Sequence, residues 1–303
     1  MKKIILLTGA SGFFGKEIFN KLKKKYNILT PNSKKLNLLN KNSISKYLKE
    51  NKIDIIINAA WKMNSTFAAA KLRKSNYLKN IMIAQNLVHE SKSISIKYFL
   101  NISSINAYKK DSYKLREKDL LNFKSSQSDT PEGLAKLFLI NQFNYLPKND
   151  FQYKNFLFSN IYGFNKNKKN LLLVDKIYQS LYLKKKHIIL LSKKDDIKID
   201  LIYVKDAVRA VDFFLSKLIK NEIDHQIINI GSGKGCKIGK LIDIISNKKN
   251  LTIKYFVNKN KKNLIASINL AKKYGWKPKY LLIDGINEIT KKYKKLKNKL
   301  RVN

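Results

Sequence analysis

The sequence predicts an α/β protein: a parallel sheet wound on both faces by helices, with a smaller, mostly C-terminal α/β domain. Three observations predict it. Short apolar runs alternate with longer amphipathic stretches along the chain, the pattern of strands joined by crossover helices. The first apolar run leads directly into glycines at 9, 12 and 15, the place where such folds turn from strand to helix. The 303 residues contain no solenoid-length repeat and no low-complexity linker, so one large domain and one smaller one account for the length.

Strands are expected at residues 3–8, 27–31, 53–58, 96–103, 155–159 and 226–230. Helices are expected at 15–24, 43–50, 75–90, 133–144, 170–183 and 205–218. The polar stretch 109–129 reads as a long active-site loop, and 291–303 as a lysine-rich terminal helix. Residues 1–164, with 197–231 returning to them, form the sheet domain, and 165–196 with 232–303 form the other.

The formal net charge is +42. A polyanionic partner would answer such a charge. Almost all of it is lysine, with arginine only at Arg73, Arg116, Arg209 and Arg301, and arginine is the residue that reads bases bidentately. Lysine, asparagine and isoleucine share A/T-rich codons, and the lysines are spread over every segment. Compositional drift is the better account, and no nucleic-acid partner is expected. The single Cys236 excludes an internal disulfide and suits a reducing compartment. No apolar run approaches the ~20 residues of a membrane span, and the one after Met1 is too short for a signal peptide. A cytoplasmic protein without membrane contact is expected. Cys236, His89, His187 and His225 have no metal-ligand spacing, so no metal is expected.

The turn itself is Thr8, Gly9, Ala10, Ser11, Gly12, Phe13, Phe14 and Gly15. The three glycines allow a tight turn, close approach to a pyrophosphate and packing of helix on strand, while the helix start offers free N–H groups. This is a Rossmann-type, dinucleotide-binding arrangement with Gly9, Ser11, Gly12, Phe13, Phe14 and Gly15 as cofactor contacts. An acid closing the second strand would bind the ribose hydroxyls of NAD. The chain instead has Asn32, Ser33, Lys34 and Lys35. Asn32 and Lys34 are therefore candidates for a 2′-phosphate, which favours NADP over NAD while leaving both open.

Further motifs follow in order. They are Asn58-Ala59-Ala60, Asn80, Ser103-Ser104-Ile105-Asn106-Ala107-Tyr108, Asn160-Ile161-Tyr162-Gly163, Tyr203-Val204-Lys205-Asp206, Asn229-Ile230-Gly231 and Gly275-Trp276-Lys277-Pro278. Together with the glycine turn they resemble the extended short-chain dehydrogenase/reductase family, that of the NAD-dependent epimerases and dehydratases. The likeness is greatest to GDP-L-fucose synthases and nucleotide-sugar 4-epimerases. The resemblance implies a nucleotide-sugar substrate and hydride transfer at the sugar. It places Ala59, Ala60, Asn80, Lys136 and Asn160 at the cofactor, Asn106 and Asn160 at the substrate, and Ser104 as catalytic serine. It also implies a homodimer formed through the helices near 75–90 and 133–144.

The pattern breaks at one decisive place. The family sets a tyrosine four residues before a lysine, which puts both on one helix face and lowers the phenol pKa for proton exchange. Here Lys136 is present, but the tyrosine position is Glu132. Tyr182 with Lys186 and Tyr293 with Lys297 have the spacing, at a frequency that chance explains in so lysine-rich a chain. The family's epimerising cysteine position is Asn106, its histidine position falls near Leu172, its substrate arginine is Ile199, and a usual proline is Phe158. Two functions remain: an enzyme whose catalytic residues are Ser104, Glu132 and Lys136, or a non-catalytic dinucleotide-binding protein of the same fold. As a bland alternative, Glu132 and Lys136 form only a solvated ion pair.

Overall fold

The computed structural model describes residues 2–62, 70–94, 96–108, 114–121, 130–144, 152–165, 172–182, 189–192, 198–246, 253–256 and 263–299. Most of the expected loop at 109–129, His187, Lys186 and the last residues of the chain lie outside them. In chain order the first elements are β1 (Ile4–Thr8), α1 (Phe13–Leu22), β2 (Asn27–Leu29), α2 (Lys41–Asn51), β3 (Ile55–Asn58) and α3 (Ala70–Ser93). Next come β4 (Tyr98–Ser104), a 3-10 turn (Ile105–Ala107), α4 (Lys118–Leu121), α5 (Pro131–Asn144), β5 (Gln152–Phe158) and β6 (Asn160–Tyr162). Then follow α6 (Leu173–Tyr182), β7 (Ile189–Ser192), β8 (Lys198–Tyr203), α7 (Val204–Ile219), β9 (Ile227–Ile230) and β10 (Gly235–Lys237). The last are α8 (Ile238–Ser246), β11 (Ile253–Phe256), α9 (Asn269–Lys273) and α10 (Leu282–Lys299).

Six strands form one sheet in the order β2-β1-β3-β4-β5-β9, and those from β2 to β5 pair in parallel. All six answer to the expected strands. Their near-continuous apolar character follows from burial on both faces: every residue of β3 is buried. The order reverses between β1 and β3, and the carboxyl ends at such a reversal are where this class of sheet binds ligands. The helices expected between 15 and 218 are all present with ends shifted by a few residues, whereas the terminal helix expected from 291 begins at Leu282.

A polar ladder crosses this core. The Thr8 hydroxyl donates to Asn58 Oδ1 at 2.8 Å, Asn58 Nδ2 to Asn101 Oδ1 at 3.1 Å, and Asn101 Nδ2 to Asn155 Oδ1 at 2.8 Å. These residues sit directly opposite one another on β1, β3, β4 and β5. A slip of one residue would strand the buried amides, so the ladder specifies register. It fixes the carboxyl ends of the strands that carry the site.

The chain divides into two compact units, Met1–Lys109 with Glu117–Phe158 and Val208–Asn229, and Lys110–Arg116 with Ser159–Ala207 and Ile230–Asn303. The division departs from the expected 164 and 197 because β6 and β8 pair with each other, which carries 159–164 and 198–207 into the second unit. There β8 also pairs with β10, and β7 with β11. Buried Asp200 accepts hydrogen bonds from Ser232 N, Ser232 Oγ, Gly233 N and Ala266 N at 2.6–3.2 Å. α10 is held by Tyr178, whose ring stacks on Tyr293 at 4.9 Å and whose hydroxyl donates to Ile286 O.

Candidate active site

The turn after β1 is built by backbone contact. Gly9 has φ +72°, and a Cβ there would run into the Ala59 carbonyl and lie 2.7 Å from Ala60 N. A Cβ on Gly15 would collide with the Gly9 carbonyl, whereas one on Gly12 would meet that oxygen at 3.3 Å. Two of the three glycines are thus demanded by sterics, while Gly12 leaves room for a Cβ at close contact. Gly12 caps α1 with no side-chain bond and no acid in the first turn. The N–H groups of Phe13, Phe14 and Gly15 precede the first intrahelical bond, Lys16 N to Gly12 O, so the positive end of α1 is open. Ser11 and Gly12 are exposed beside it. An uncapped helix start behind a glycine cradle fits the pyrophosphate of a dinucleotide.

After β2 the Asn32 side chain accepts from Lys34 N and Lys35 N, both at 3.1 Å. Asn32 is therefore the pin of a turn that presents both lysines to solvent. No acid stands between 27 and 36.

The segment leaving β3 is held from three sides. Asn58 Oδ1 accepts from Ala60 N at 3.3 Å. Asn80, buried on α3, grips Lys62 like a strand partner, accepting from its N at 2.8 Å and donating to its O at 3.1 Å. Trp61 donates its indole N–H to Ile102 O of β4 at 3.0 Å. Beyond Ile102, β4 ends at Ser104, whose Oγ accepts from Asn106 N at 3.3 Å and so caps the 3-10 turn.

α5 starts where Thr130 Oγ1 accepts from Gly133 N at 3.1 Å, with Pro131 at its first position, a strong local signal. One turn in, Lys136 is 9% exposed, and its Nζ lies 3.7 Å from the centroid of the Trp61 ring. Burial pushes the Lys136 pKa down to about 7, while the Glu132 charge pulls it back up. Among the described residues the ammonium has no hydrogen-bond acceptor. Glu132 is only half-buried. The picture of two solvated charges therefore fails on the lysine side.

Residues 5–231 match the NAD dependent epimerase/dehydratase family. The chain belongs to that family. It is 27% identical over 308 residues to the GDP-L-colitose synthase of Yersinia pseudotuberculosis, spanning 97% of this chain and 99% of that one. Solved structures share the fold. A UDP-glucose 4-epimerase of Thermotoga maritima superposes with a TM-score of 0.82 at 19% identity, over 97% of this chain and 99% of that one. The GDP-mannoheptose C4 reductase of Campylobacter jejuni, solved with NADP bound, gives 0.79 at 19% over 97% and 98%.

Gly9, Gly12, Gly15, Ala59, Ala60, Asn80, Ser104, Asn106, Glu132 and Lys136 all belong to the first unit. Asn160 belongs to the second, opening β6 with its Nδ2 donating to Asp200 O at 3.1 Å. Tyr182 and Tyr293 are members of an aromatic stack with Tyr178 in that second unit. His89 sits on α3 beside Glu90. Among the described residues no His/Cys/Asp/Glu group could hold a metal, and no helix is long and apolar enough to cross a membrane. Sequence reasoning missed Trp61, whose only signal was its place directly after Asn58-Ala59-Ala60. It also left Phe158 unexplained. That ring packs edge-on against Phe14 of the turn at 5.0 Å.

Proposed function

We propose that this chain reduces a nucleotide-linked 4-keto sugar, with NADPH as the favoured donor and a GDP-sugar as the favoured substrate class. The observation that carries the proposal is the company of Lys136: a desolvated ammonium with uncommitted N–H groups, on the helix beside Ser104 and in the same unit as an open dinucleotide turn. The names of the GDP-L-colitose synthase and the GDP-mannoheptose C4 reductase favour GDP. Exposed Lys34 and Lys35, with no acid nearby, favour the 2′-phosphate of NADP. Asn106 in place of the epimerising cysteine favours reduction over epimerisation at the neighbouring carbons.

Gly9, Ser11, Gly12, Phe13, Phe14 and Gly15 would hold the pyrophosphate, Asn32 and Lys34 the adenine ribose, and Ala59, Ala60 and Asn80 the remainder. The bound dinucleotide supplies the hydride. Ser104 and Lys136 donate hydrogen bonds to the C4 oxygen and stabilise the negative charge that grows there. A proton must also reach that oxygen. Lys136 can release one near neutral pH and take its replacement from solvent, with Glu132 ordering the water that relays it. Asn106 would contact the sugar. The second unit supplies the substrate domain.

Incubation in D₂O with NADPH and a panel of GDP-, UDP- and dTDP-linked 4-keto sugars tests this. A gain of two hydrogens on a GDP-sugar, without solvent deuterium on carbon, is the expected result. Deuterium on carbon next to the ketone means epimerisation. Tight dinucleotide binding with no sugar changed favours the non-catalytic reading, for which the loss of the tyrosine at 132 is the specific support.

The protein is proposed to be a homodimer. Leu78 and Met82 on α3 and Leu134 and Phe138 on α5 are 38–52% exposed, one turn apart in each helix, and α3 packs on α5. Adjacent Asn141 carries a buried Oδ1 without a partner. An apolar patch of this kind on two packed helices suits a second copy. Phe138→Glu is expected to convert the dimer to monomer in light scattering. A wild-type monomer would refute the interface.

A further inference from the structure

Lysine brings a long, freely rotating side chain to a site, and burial works against its charge. Both problems are met at Lys136 without a carboxylate contact. The Trp61 indole lies 3.7 Å from Nζ, and an aromatic face attracts a cation through its quadrupole without using any N–H group. A carboxylate in the same place would consume the donors. The indole is itself fixed, by its N–H to Ile102 O and by the grip of Asn80 on the adjoining Lys62. Ile102 lies two residues before Ser104 on β4, so one strand places both the serine and the ring.

We infer that Trp61 is a positioning residue for Lys136, its indole face holding the ammonium charged and directed while leaving all three N–H donors free for cofactor and substrate oxygens. This deepens the function proposed above and rests on it for its catalytic meaning, but not for its physical content. Among the described residues, Glu132, one turn back on α5, is the charge that acts on Lys136.

The chain has two tryptophans, Trp61 and Trp276, which allows a test that needs no turnover. Incorporation of 5-fluorotryptophan gives two ¹⁹F resonances. One is expected to titrate with a midpoint near the Lys136 pKa of about 7, and to respond to added NADPH. Lys136→Met is expected to abolish the titration while the other resonance stays flat. Flat resonances in the unsubstituted protein, or a titration that survives Lys136→Met, would overturn the inference. If sugar is reduced, Trp61→Leu is expected to move the alkaline limb of the kcat profile down by about one pH unit, because the charged form loses support. Trp61→Phe, which keeps a weaker face, should move it less. Equal limbs in all three proteins would also overturn it. An inert protein that still shows the Lys136-dependent titration would contradict the proposed reduction and leave Trp61's role standing.

Discussion

The glycine turn and the start of α5 belong to the same unit, yet their residues are fixed by different forces. In the turn, the constraint is steric. Gly9 and Gly15 have backbone oxygens where a Cβ would stand, so almost no substitution is tolerated. At α5, the constraint is electrostatic and shared among side chains. There Glu132 stands one turn before Lys136, which is buried against Trp61. In the proposed function, dinucleotide binding would thus be tied to backbone geometry, whereas proton chemistry would be spread over groups that can exchange parts. One half of a site can keep its pattern while the other departs from it.

The sharpest way to break that comparison is in the turn. Gly15→Ala is expected to weaken NADPH binding about 100-fold or more, since a displaced α1 loses its anion contacts. Gly12→Ala, with its Cβ meeting only the Gly9 oxygen at 3.3 Å, should cost about tenfold. Calorimetric titration of both variants checks the ranking, and a reversed order would show that the steric account is wrong.

Lys136→Met should lower kcat by about 10²–10³-fold with a much smaller effect on NADPH affinity. It should also make the protein more stable. The folded-state pKa of Lys136 is about 7 against 10.5 for an ordinary lysine, so between those values the unfolded chain binds a proton that the folded chain does not. Stability from this group is complete above the unfolded value and is lost as pH falls through 7. The methionine variant should gain roughly 1–3 kcal/mol, most clearly in denaturant titrations below pH 7. A loss of stability there would mean that the ammonium is better satisfied than its burial implies.

Glu132→Gln gives the smallest effect. Removing the anion takes away a charge that raises the Lys136 pKa, so the alkaline limb of the pH profile should move lower, by less than one unit. The change in maximal rate tests whether Glu132 orders the relaying water. A few-fold loss fits a water-relayed role, and no loss assigns proton delivery to Lys136 alone.

Much of the first unit was legible in the sequence. Continuous apolar runs gave all six strands of the main sheet, and the glycine spacing located the turn, because both signals are local. Asn80 was expected at the cofactor, and its side chain grips Lys62 on the segment leaving β3. The illegible features are those that need two distant segments. Asn58, Asn101 and Asn155 are unremarked polar residues in three strands until strand register lines them up. Lys136 with Glu132 has the spacing of a surface ion pair, and only packing shows that the lysine is buried. Trp61 is one aromatic among many until its ring is seen against that ammonium. Phe158 is an odd replacement for proline until Phe14 meets it.

The central claim is that this site moves a hydride without the tyrosine. Single-turnover reaction of the GDP-4-keto sugar with NADPH deuterated at C4 of the nicotinamide tests it most directly. The account predicts deuterium at the sugar C4, with transfer slowed strongly in Lys136→Met and little affected in Glu132→Gln. Saturating NADPH binding with no deuterium in the sugar, across the panel of nucleotides, would contradict it.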